Sequence, residues 1–175
     1  MLKAAVLSLV IALAMATSTA QASSKAQTIS AIESYITATH HRQTVMGAPL
    51  TPTTGSYLTT TSAKYRAWVL NYWKHVNKGV FDRFTAPPNA NAWKCILKYE
   101  TGYTYNWHIN TGNGYYGGLQ MDRTFQSTYG SYLLQLKGTA NNWTPAEQMW
   151  VAEHARASGR GYYPWPNTAR ACGLI

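Results

Sequence analysis

The fold is decided in the stretch NAWKCILKYE, residues 91–100. Its apolar residues Trp93, Ile96 and Leu97 recur at i, i+3 and i+4, which is the spacing of the buried stripe of an amphipathic helix. The next position of that stripe, i+7, holds Glu100, a charged residue where an apolar one is expected. The sequence therefore predicts a helix with a carboxylate at the end of its buried face.

This placement makes Glu100 a candidate general acid. Burial disfavours the ionised form of a carboxyl group. The negative end of a helix dipole does the same, and Gly102 indicates that the helix ends close to Glu100. Both effects raise the pKa, as a proton donor near neutral pH requires. The same pattern also fits a partly exposed glutamate at a frayed helix end, and this stretch alone does not separate the two interpretations.

Residues 1–22 have the features of a secretory signal peptide. Lys3 supplies the positive start, residues 4–15 form a short apolar run, and Ala20-Gln21-Ala22 is a small-residue cleavage site. We therefore expect export, with cleavage near Ala22–Ser23 and no stable insertion in the membrane. The remaining roughly 150 residues suffice for one domain with an N-terminal attachment.

Export also bears on the cysteines and on the charge. The two cysteines, Cys95 and Cys172, predict a disulfide that closes a loop of roughly 80 residues and contributes on the order of 4 kcal/mol in the chain-entropy model. The formal charge of +9 becomes +8 when Lys3 is removed. In an exported protein, basic charge favours an anionic wall polymer or a membrane surface, and we expect no nucleic-acid partner.

The rest of the chain predicts helices around one irregular segment. In the N-terminal region, residues 23–88, the apolar spacing predicts helices over 28–42 and 62–79, the second with a stripe that includes Trp68 and Tyr72. The domain follows over residues 89–175. Its segment 103–120 is dense in Gly, Asn and aromatics and predicts a short hairpin or ordered loop that turns at 113–114, and further helices run over 122–130 and 144–159.

Glu100 is the strongest acid–base candidate among the four carboxylates of the domain. Thr144 and Glu147 have the spacing of a capping box, Asp122 is placed to cap a helix, and Glu153 lies mid-helix among ordinary ion-pair partners. The histidines are dispersed, so no metal site is predicted. The glycines at 112, 114 and 117 satisfy a dinucleotide-binding pattern but lack its strand and helix, so no cofactor is expected.

The run WHINTGNGYYGGLQ, residues 107–120, closely resembles the signature of the resuscitation-promoting factor domain, a bacterial transglycosylase-like family in the lysozyme superfamily. The resemblance extends from Trp93 to about residue 174 and includes Trp165-Pro166. It implies a mainly α (α+β), small lysozyme-like domain with a short β-hairpin or loop segment beside a sugar groove, preceded by N-terminal helices. It also favours the functional interpretation of Glu100.

The resemblance implies an enzyme that cleaves the β-1,4 bond between N-acetylmuramic acid and N-acetylglucosamine in peptidoglycan. Glu100 would act as the single acid and then as the base, while the muramyl 6-hydroxyl or a water attacks. Candidate substrate-binding residues are Thr124, Gln120, Asn110, Tyr116, Trp107 and Asp122. The chain would be a monomer at the cell wall. Another wall hydrolase is a further candidate partner.

Two departures from the family pattern and two other functions bear on this interpretation. The places where the family commonly has its cysteines hold Tyr99 and Thr168 here, and both cysteines are shifted by four residues. Glu100 is followed by two residues more than usual before Trp107. A non-catalytic peptidoglycan-binding or growth-signalling module is the main alternative function. A cationic polypeptide that perturbs membranes is disfavoured because the domain has structured turns.

Overall fold

The computed structural model describes the backbone of residues 2–175 and the side chains of residues 21–175. The side chains of the predicted signal peptide, residues 1–22, therefore lie almost entirely outside the described ones. Helices dominate the chain, and the predicted mainly α class is confirmed. The helices are α1 (Leu2–Met46), α2 (Ser56–Thr59), α3 (Ala63–Thr85), α4 (Ala90–Glu100), α5 (Arg123–Tyr129), α6 (Ser131–Lys137), α7 (Pro145–Ala155) and α8 (Pro166–Ala171), and the strands are β1 (Tyr115–Tyr116) and β2 (Met121–Asp122).

The chain divides into two compact units. The N-terminal unit consists of residues 1–40 and 51–79, and the C-terminal unit consists of residues 41–50 and 80–175. The C-terminal unit thus contains more of the chain than the stretch 89–175 predicted as the domain. Within the described residues, no helix is both long enough and apolar enough to span a bilayer.

The N-terminal unit has a small core of its own, made by Ile32, Tyr57, Val69 and Trp73. Helix α3 begins as predicted, because the Ser62 hydroxyl accepts a hydrogen bond from the amide of Tyr65 at 3.1 Å. Its predicted end at Gly79 was wrong, since the helix continues to Thr85.

The predicted buried stripe of α3 was also wrong in part. Val69 is buried as expected, but Trp68 and Tyr72 are 61% and 43% exposed. The buried face instead takes in Trp73 and Arg66, whose guanidinium donates to the carbonyl oxygen of Thr60 at 2.7 Å. Large aromatic residues at helical spacing therefore lie on an exposed face of this helix.

The core of the C-terminal unit forms around the stripe that opened the sequence analysis. Trp93, Ile96 and Leu97 are buried on α4, as predicted. The indole ring of Trp93 packs edge-on against that of Trp165, with the ring centroids 5.1 Å apart. The predicted disulfide is also confirmed: Cys95 of α4 is joined to Cys172, the residue that follows α8.

The segment between α4 and α5 forms a loop and a two-stranded antiparallel sheet. Tyr115 pairs with Asp122, and Tyr116 pairs with Met121. The sheet turns over residues 117–120, while the predicted turn at 113–114 lies inside an additional bridge between Asn110 and Tyr116. The predicted hairpin is therefore present, and the strands themselves turn four residues later than expected.

Two helix starts follow the predicted capping residues. Asp122 accepts a hydrogen bond from the amide of Phe125 at 2.7 Å and begins α5. Thr144 and Glu147 form the predicted capping box, in which each side chain accepts from the amide of the other residue. Both carboxylates thus have the structural role that sequence reasoning gave them.

Candidate active site

Helix α4 ends at Glu100 in a tight C-terminal turn. The amide of Tyr103 donates to the carbonyl oxygen of Lys98 at 2.7 Å, and the amide of Gly102 donates to that of Tyr99 at 3.3 Å. This pair of bonds is a Schellman motif, and Gly102 has the positive φ, 57°, that the motif requires. The chain therefore changes direction directly after Glu100, and the hydrogen bonds of this turn fix the backbone position of Glu100.

The carboxyl group of Glu100 is half-buried, and its described hydrogen-bond partner is Thr168 of α8. The hydroxyl of Thr168 donates to Oε1 of Glu100 at 2.8 Å. Burial raises the pKa of the Glu100 carboxyl, and the hydrogen bond from Thr168 offsets part of that rise. The direction of the pKa shift is the one that the sequence predicted, whereas the acid role of Glu100 stays a prediction.

A groove of about 280 Å³ lies between the sheet and the segment that precedes α8. Three predicted substrate-binding residues, Gln120, Asp122 and Thr124, line it. Glu100 lies outside this lining. The groove is lined by Tyr115, Gln120, Met121, Asp122, Thr124, Phe125, Thr128, Arg160, Pro164 and Trp165.

Glu100 is connected to the groove through the first turn of α8. Trp165 lines the groove and is the N-cap residue of α8, and Thr168 lies in the first turn of that helix. The hydroxyl of Thr168 lies 3.3 Å from the carbonyl oxygen of Trp165 and 2.8 Å from Oε1 of Glu100. The Thr168 hydroxyl therefore lies between Glu100 and the backbone of a residue that lines the groove.

The other three predicted substrate-binding residues shape the loop instead of lining the groove. The carbonyl oxygen of Trp107 accepts from the amide of Gly118 at 2.9 Å and from the side chain of Gln148 at 2.7 Å. Asn110 accepts from the amide of Gly112 through its side chain, and Tyr116 packs against the core. None of these three residues lines this groove. Their contact with a substrate stays a prediction.

Two other carboxylates of the unit are held by structural partners. Glu153 accepts from the indole of buried Trp93 at 2.6 Å and from Arg156 at 2.9 Å. Glu147 forms an ion pair with Lys137 at 2.7 Å, and Nε2 of His41 lies 2.8 Å from its Oε1. Among the described residues, no group of three or more side chains is arranged to hold a metal ion.

Sequence reasoning gave no functional role to Thr168 or to Arg160. One signal for Thr168 was available, because the predicted disulfide joins α4 to the end of α8 and so brings residues near Cys95 and Cys172 together. Arg160 lies between Gly159 and Gly161, which both have positive φ. A basic residue between two such glycines, in a segment rich in aromatic residues, was a weaker signal for a functional role of Arg160.

The fold and the site define a small, mainly α, lysozyme-like domain with a half-buried carboxyl group at the end of α4 and a groove beside its small sheet. Residues 87–168 match the family model of the Transglycosylase-like domain. Resuscitation-promoting factor Rpf1 of Corynebacterium glutamicum is 37% identical over 90 residues, which cover 51% of this chain and 44% of that protein. Resuscitation-promoting factor RpfE of Mycobacterium tuberculosis is 42% identical over 90 residues, covering 49% of this chain and 47% of that protein.

A third relative, resuscitation-promoting factor RpfB of Mycolicibacterium smegmatis, is 37% identical over 82 residues, which cover 46% of this chain and 21% of that protein. Residues 87–168 are therefore a domain of the resuscitation-promoting factor family. The chain spans less than half the length of these curated relatives.

Proposed function

We propose that this protein is an exported enzyme that cleaves the glycan strands of peptidoglycan, at the β-1,4 bond between N-acetylmuramic acid and N-acetylglucosamine. The observation that carries the proposal is the state of Glu100, which ends α4 half-buried, has a raised pKa and is hydrogen-bonded to Thr168 beside the backbone of groove-lining Trp165. A carboxyl group of this kind retains its proton at higher pH than a solvated one, as a general acid needs.

The hydrogen bond from Thr168 assigns the two oxygens of Glu100 different tasks. Because Thr168 donates to Oε1, the proton of the neutral carboxyl group belongs on Oε2. Oε2 then delivers that proton to the glycosidic oxygen while positive charge develops at the muramyl ring. Thr168 stabilises the carboxylate that is left, since a hydrogen bond to a charged acceptor is stronger than one to a neutral acceptor.

The reaction then proceeds with one carboxylate. Glu147 and Glu153 are held in ion pairs, so neither is placed to serve as a second catalytic group. Glu100 takes back a proton from the attacking nucleophile, which is the muramyl 6-hydroxyl in a transglycosylase or water in a hydrolase. Gln120 and Thr124 are proposed to contact the sugar in the groove. Asp122 also lines the groove, but its Oδ1 is engaged in capping α5.

The proposal is tested with the variant Glu100→Gln on purified peptidoglycan, with the released fragments identified by mass spectrometry. Glutamine keeps an oxygen that accepts from Thr168 but cannot donate a proton as an acid, so the rate should fall at least about 100-fold. Glu33→Gln is the matched control, because Glu33 is an exposed carboxylate of the N-terminal unit outside the groove, and it should remain active. Anhydro-muramyl ends would identify transglycosylation, and undiminished release by Glu100→Gln would exclude Glu100 as the acid.

A stability measurement guards against misfolding of the Glu100→Gln variant. A raised folded-state pKa means that the contribution of Glu100 to stability is present at low pH and is lost as the pH rises through that pKa. Glu100→Gln should therefore be at least as stable as the parent at neutral pH, and this advantage should shrink as the pH falls. A variant that is inactive and less stable at neutral pH would not support the acid role.

A non-catalytic growth-signalling or wall-binding module is the second candidate function. It is favoured by the position of Glu100 outside the groove lining and by the names of the relatives, which are resuscitation-promoting factors. This alternative predicts tight association with peptidoglycan, no released fragments and equal binding by the parent and Glu100→Gln. Binding and release measured on the same samples separate the two functions.

A further inference from the structure

Three aromatic side chains form a strip along α3 in the N-terminal unit. The ring centroids of Tyr65 and Trp68 are 5.9 Å apart with an interplanar angle of 24°, and those of Trp68 and Tyr72 are 6.0 Å apart at 19°. Trp68 is 61% exposed and Tyr72 is 43% exposed. We call these three residues the aromatic strip.

Packing of the unit explains only part of the aromatic strip, since Trp68 and Tyr72 remain largely exposed. Tyr65 is partly buried against the small core, and Tyr72 packs edge-on against buried Trp73 with the ring centroids 5.7 Å apart. The strip leaves the largest apolar side chain of the helix, Trp68, mostly in water, and contiguous exposed apolar surface is typical of binding sites. Stacking also holds the rings parallel in advance, so little conformational entropy remains to be lost on binding.

Polar donors lie beside the aromatic strip on the same helix. Helical spacing places Lys64 four residues before Trp68 and Asn71 three residues after it, so both neighbour that ring. His75 follows Tyr72 by three residues, and its Nδ1 lies 2.9 Å from the carbonyl oxygen of Asn71. Ammonium, amide and imidazole groups thus border one edge of the strip.

Hydroxyl groups lie at the Tyr65 end of the aromatic strip. The phenol oxygen of Tyr65 is 2.8 Å from the hydroxyl of Ser56, which is 3.0 Å from that of Thr54. Flat ring surfaces bordered by hydroxyl, amide and ammonium groups match a sugar chain, which offers C–H groups on the face of each ring and hydroxyls around its edge.

The charge of the N-terminal unit points to an anionic ligand. Over residues 21–40 and 51–79 the chain carries five basic residues and one acidic residue, and the long-range field of such a surface attracts anionic polymers. The basic residues are Lys25, Lys64, Arg66, Lys74 and Lys78, and the acidic residue is Glu33.

We propose that the aromatic strip is a second saccharide-binding site, which holds a glycan strand of peptidoglycan with sugar faces on Trp68 and Tyr72 and a carboxylate of the polymer near Lys64. The choice of peptidoglycan rests on the proposed function, whereas the saccharide class rests on the strip itself. A lipid surface fits less well, because an interfacial helix needs a broad apolar face and this strip is one ring wide and bordered by polar groups.

The test is a pelleting assay with purified peptidoglycan from which secondary wall polymers have been removed. All chains carry Glu100→Gln so that the polymer is not digested. Replacement of Trp68 and Tyr72 by alanine should weaken binding by the full chain about tenfold, which corresponds to the loss of two stacking contacts. Leu136→Ala is the matched control, because Leu136 is an apolar residue of α6 with 57% exposure, and it should bind like the parent.

Two further arms make the outcome decisive. Lys64→Gln should weaken binding at low salt and have little effect at high salt, because it removes only a screened charge. Binding of the parent to vesicles that contain anionic lipid, with loss of that binding in the alanine variant but unchanged pelleting with peptidoglycan, would overturn the proposal in favour of a membrane site. Equal pelleting of the alanine variant and the parent would overturn it outright.

The failure of this proposal is distinguishable from the failure of the proposed enzyme. With Glu100 restored, the Trp68 and Tyr72 variants should cleave short soluble glycan fragments at the parent rate, since the strip is not part of the groove. If the parent releases nothing but the alanine variant still loses wall binding, the aromatic strip is supported and the enzyme proposal is not.

Discussion

The role of Thr168 can be measured with the substitution Thr168→Val, which keeps the shape of the side chain and removes its hydroxyl. That hydroxyl donates to Oε1 of Glu100 at 2.8 Å and favours the ionised form. Without it, burial alone acts on the carboxyl group, so the pKa of Glu100 should rise further above its ordinary value. The activity that needs a protonated Glu100 should then persist to higher pH than in the parent.

The size of the effect on the rate follows from the change in charge of the acceptor during the reaction. A hydrogen bond to a charged group contributes about 1.5–3 kcal/mol and one to a neutral group about 0.5–1.5 kcal/mol. Only the difference, about 1–1.5 kcal/mol, acts on the transition state, because Thr168 stays bonded to Glu100 throughout. Thr168→Val should therefore lower kcat by about five- to tenfold.

The assay is the release of soluble fragments from peptidoglycan as a function of pH, with Thr168→Ser as the conservative variant. Serine keeps the hydroxyl, so its profile should return to that of the parent. A lower rate in the valine variant with no movement of the alkaline limb would indicate a structural effect alone. The reasoning would be refuted by a Thr168→Val enzyme with the parent rate and the parent pH profile, in a protein that Glu100→Gln inactivates.

Two further predictions concern stability and are measured by urea unfolding. Gly118→Ala should lower the free energy of unfolding by about 2 kcal/mol, because a Cβ atom there would overlap the side chain of buried Leu97. Gly79→Ala is at an open position of α3 and should raise the free energy of unfolding by about 0.5–1 kcal/mol. Although burial alone would raise the pKa of Glu147, hydrogen bonds from partners that include Lys137 lower it to about 2 from an ordinary value of 4.5. Stability from this carboxylate is therefore present above about pH 4.5 and lost as the pH falls toward 2, so Glu147→Gln should cost about 3 kcal/mol at pH 7 and much less at pH 2. A constant difference between these two pH values would contradict the ion-pair explanation.

The parts of the fold that could be predicted from the sequence are those that local chemistry determines. On α4, Trp93 and its neighbours form one apolar stripe, and one glycine ends the helix. The apolar periodicity and the glycine therefore predict the same helix. Asp122 and Thr144 are cap residues whose hydrogen bonds reach only three residues along the chain. The disulfide was predictable because an exported chain with two cysteines has one internal pairing.

The parts that could not be predicted depend on which of two local patterns the tertiary structure selects. On α3 the spacing of Trp68 and Tyr72 is as regular as that of Val69 and Trp73, and the structure buries only the second pair. Gly79 did not end the helix, because the cost of one glycine, about 1 kcal/mol, is smaller than the gain from extending a packed helix.

The candidate site divides in the same way. The pKa direction of Glu100 followed from its place at the end of a buried stripe, since desolvation depends on the local environment of one residue. Four of the six predicted substrate-binding residues lie in the run 107–120, and the loop brings only one of the four to the groove. Gln120 faces the groove, whereas the side chain of Asn110 accepts from a backbone amide of its own loop. Thr168 is separated from Glu100 by 68 residues, and only the path of the whole chain brings the two together.

The raised pKa of Glu100 has a mechanical requirement. A buried carboxylate would lower its free energy by moving into water. A raised pKa therefore persists only where the helix end that carries the carboxyl group cannot move. Two links hold α4 to α8 here: the disulfide between Cys95 and Cys172, and the hydrogen bond between Glu100 and Thr168. Trp165 fixes the start of α8, because its indole donates to the carbonyl oxygen of Leu119 at 2.6 Å. The same packing that buries the core of the domain therefore keeps the acid candidate half-buried where α4 meets α8.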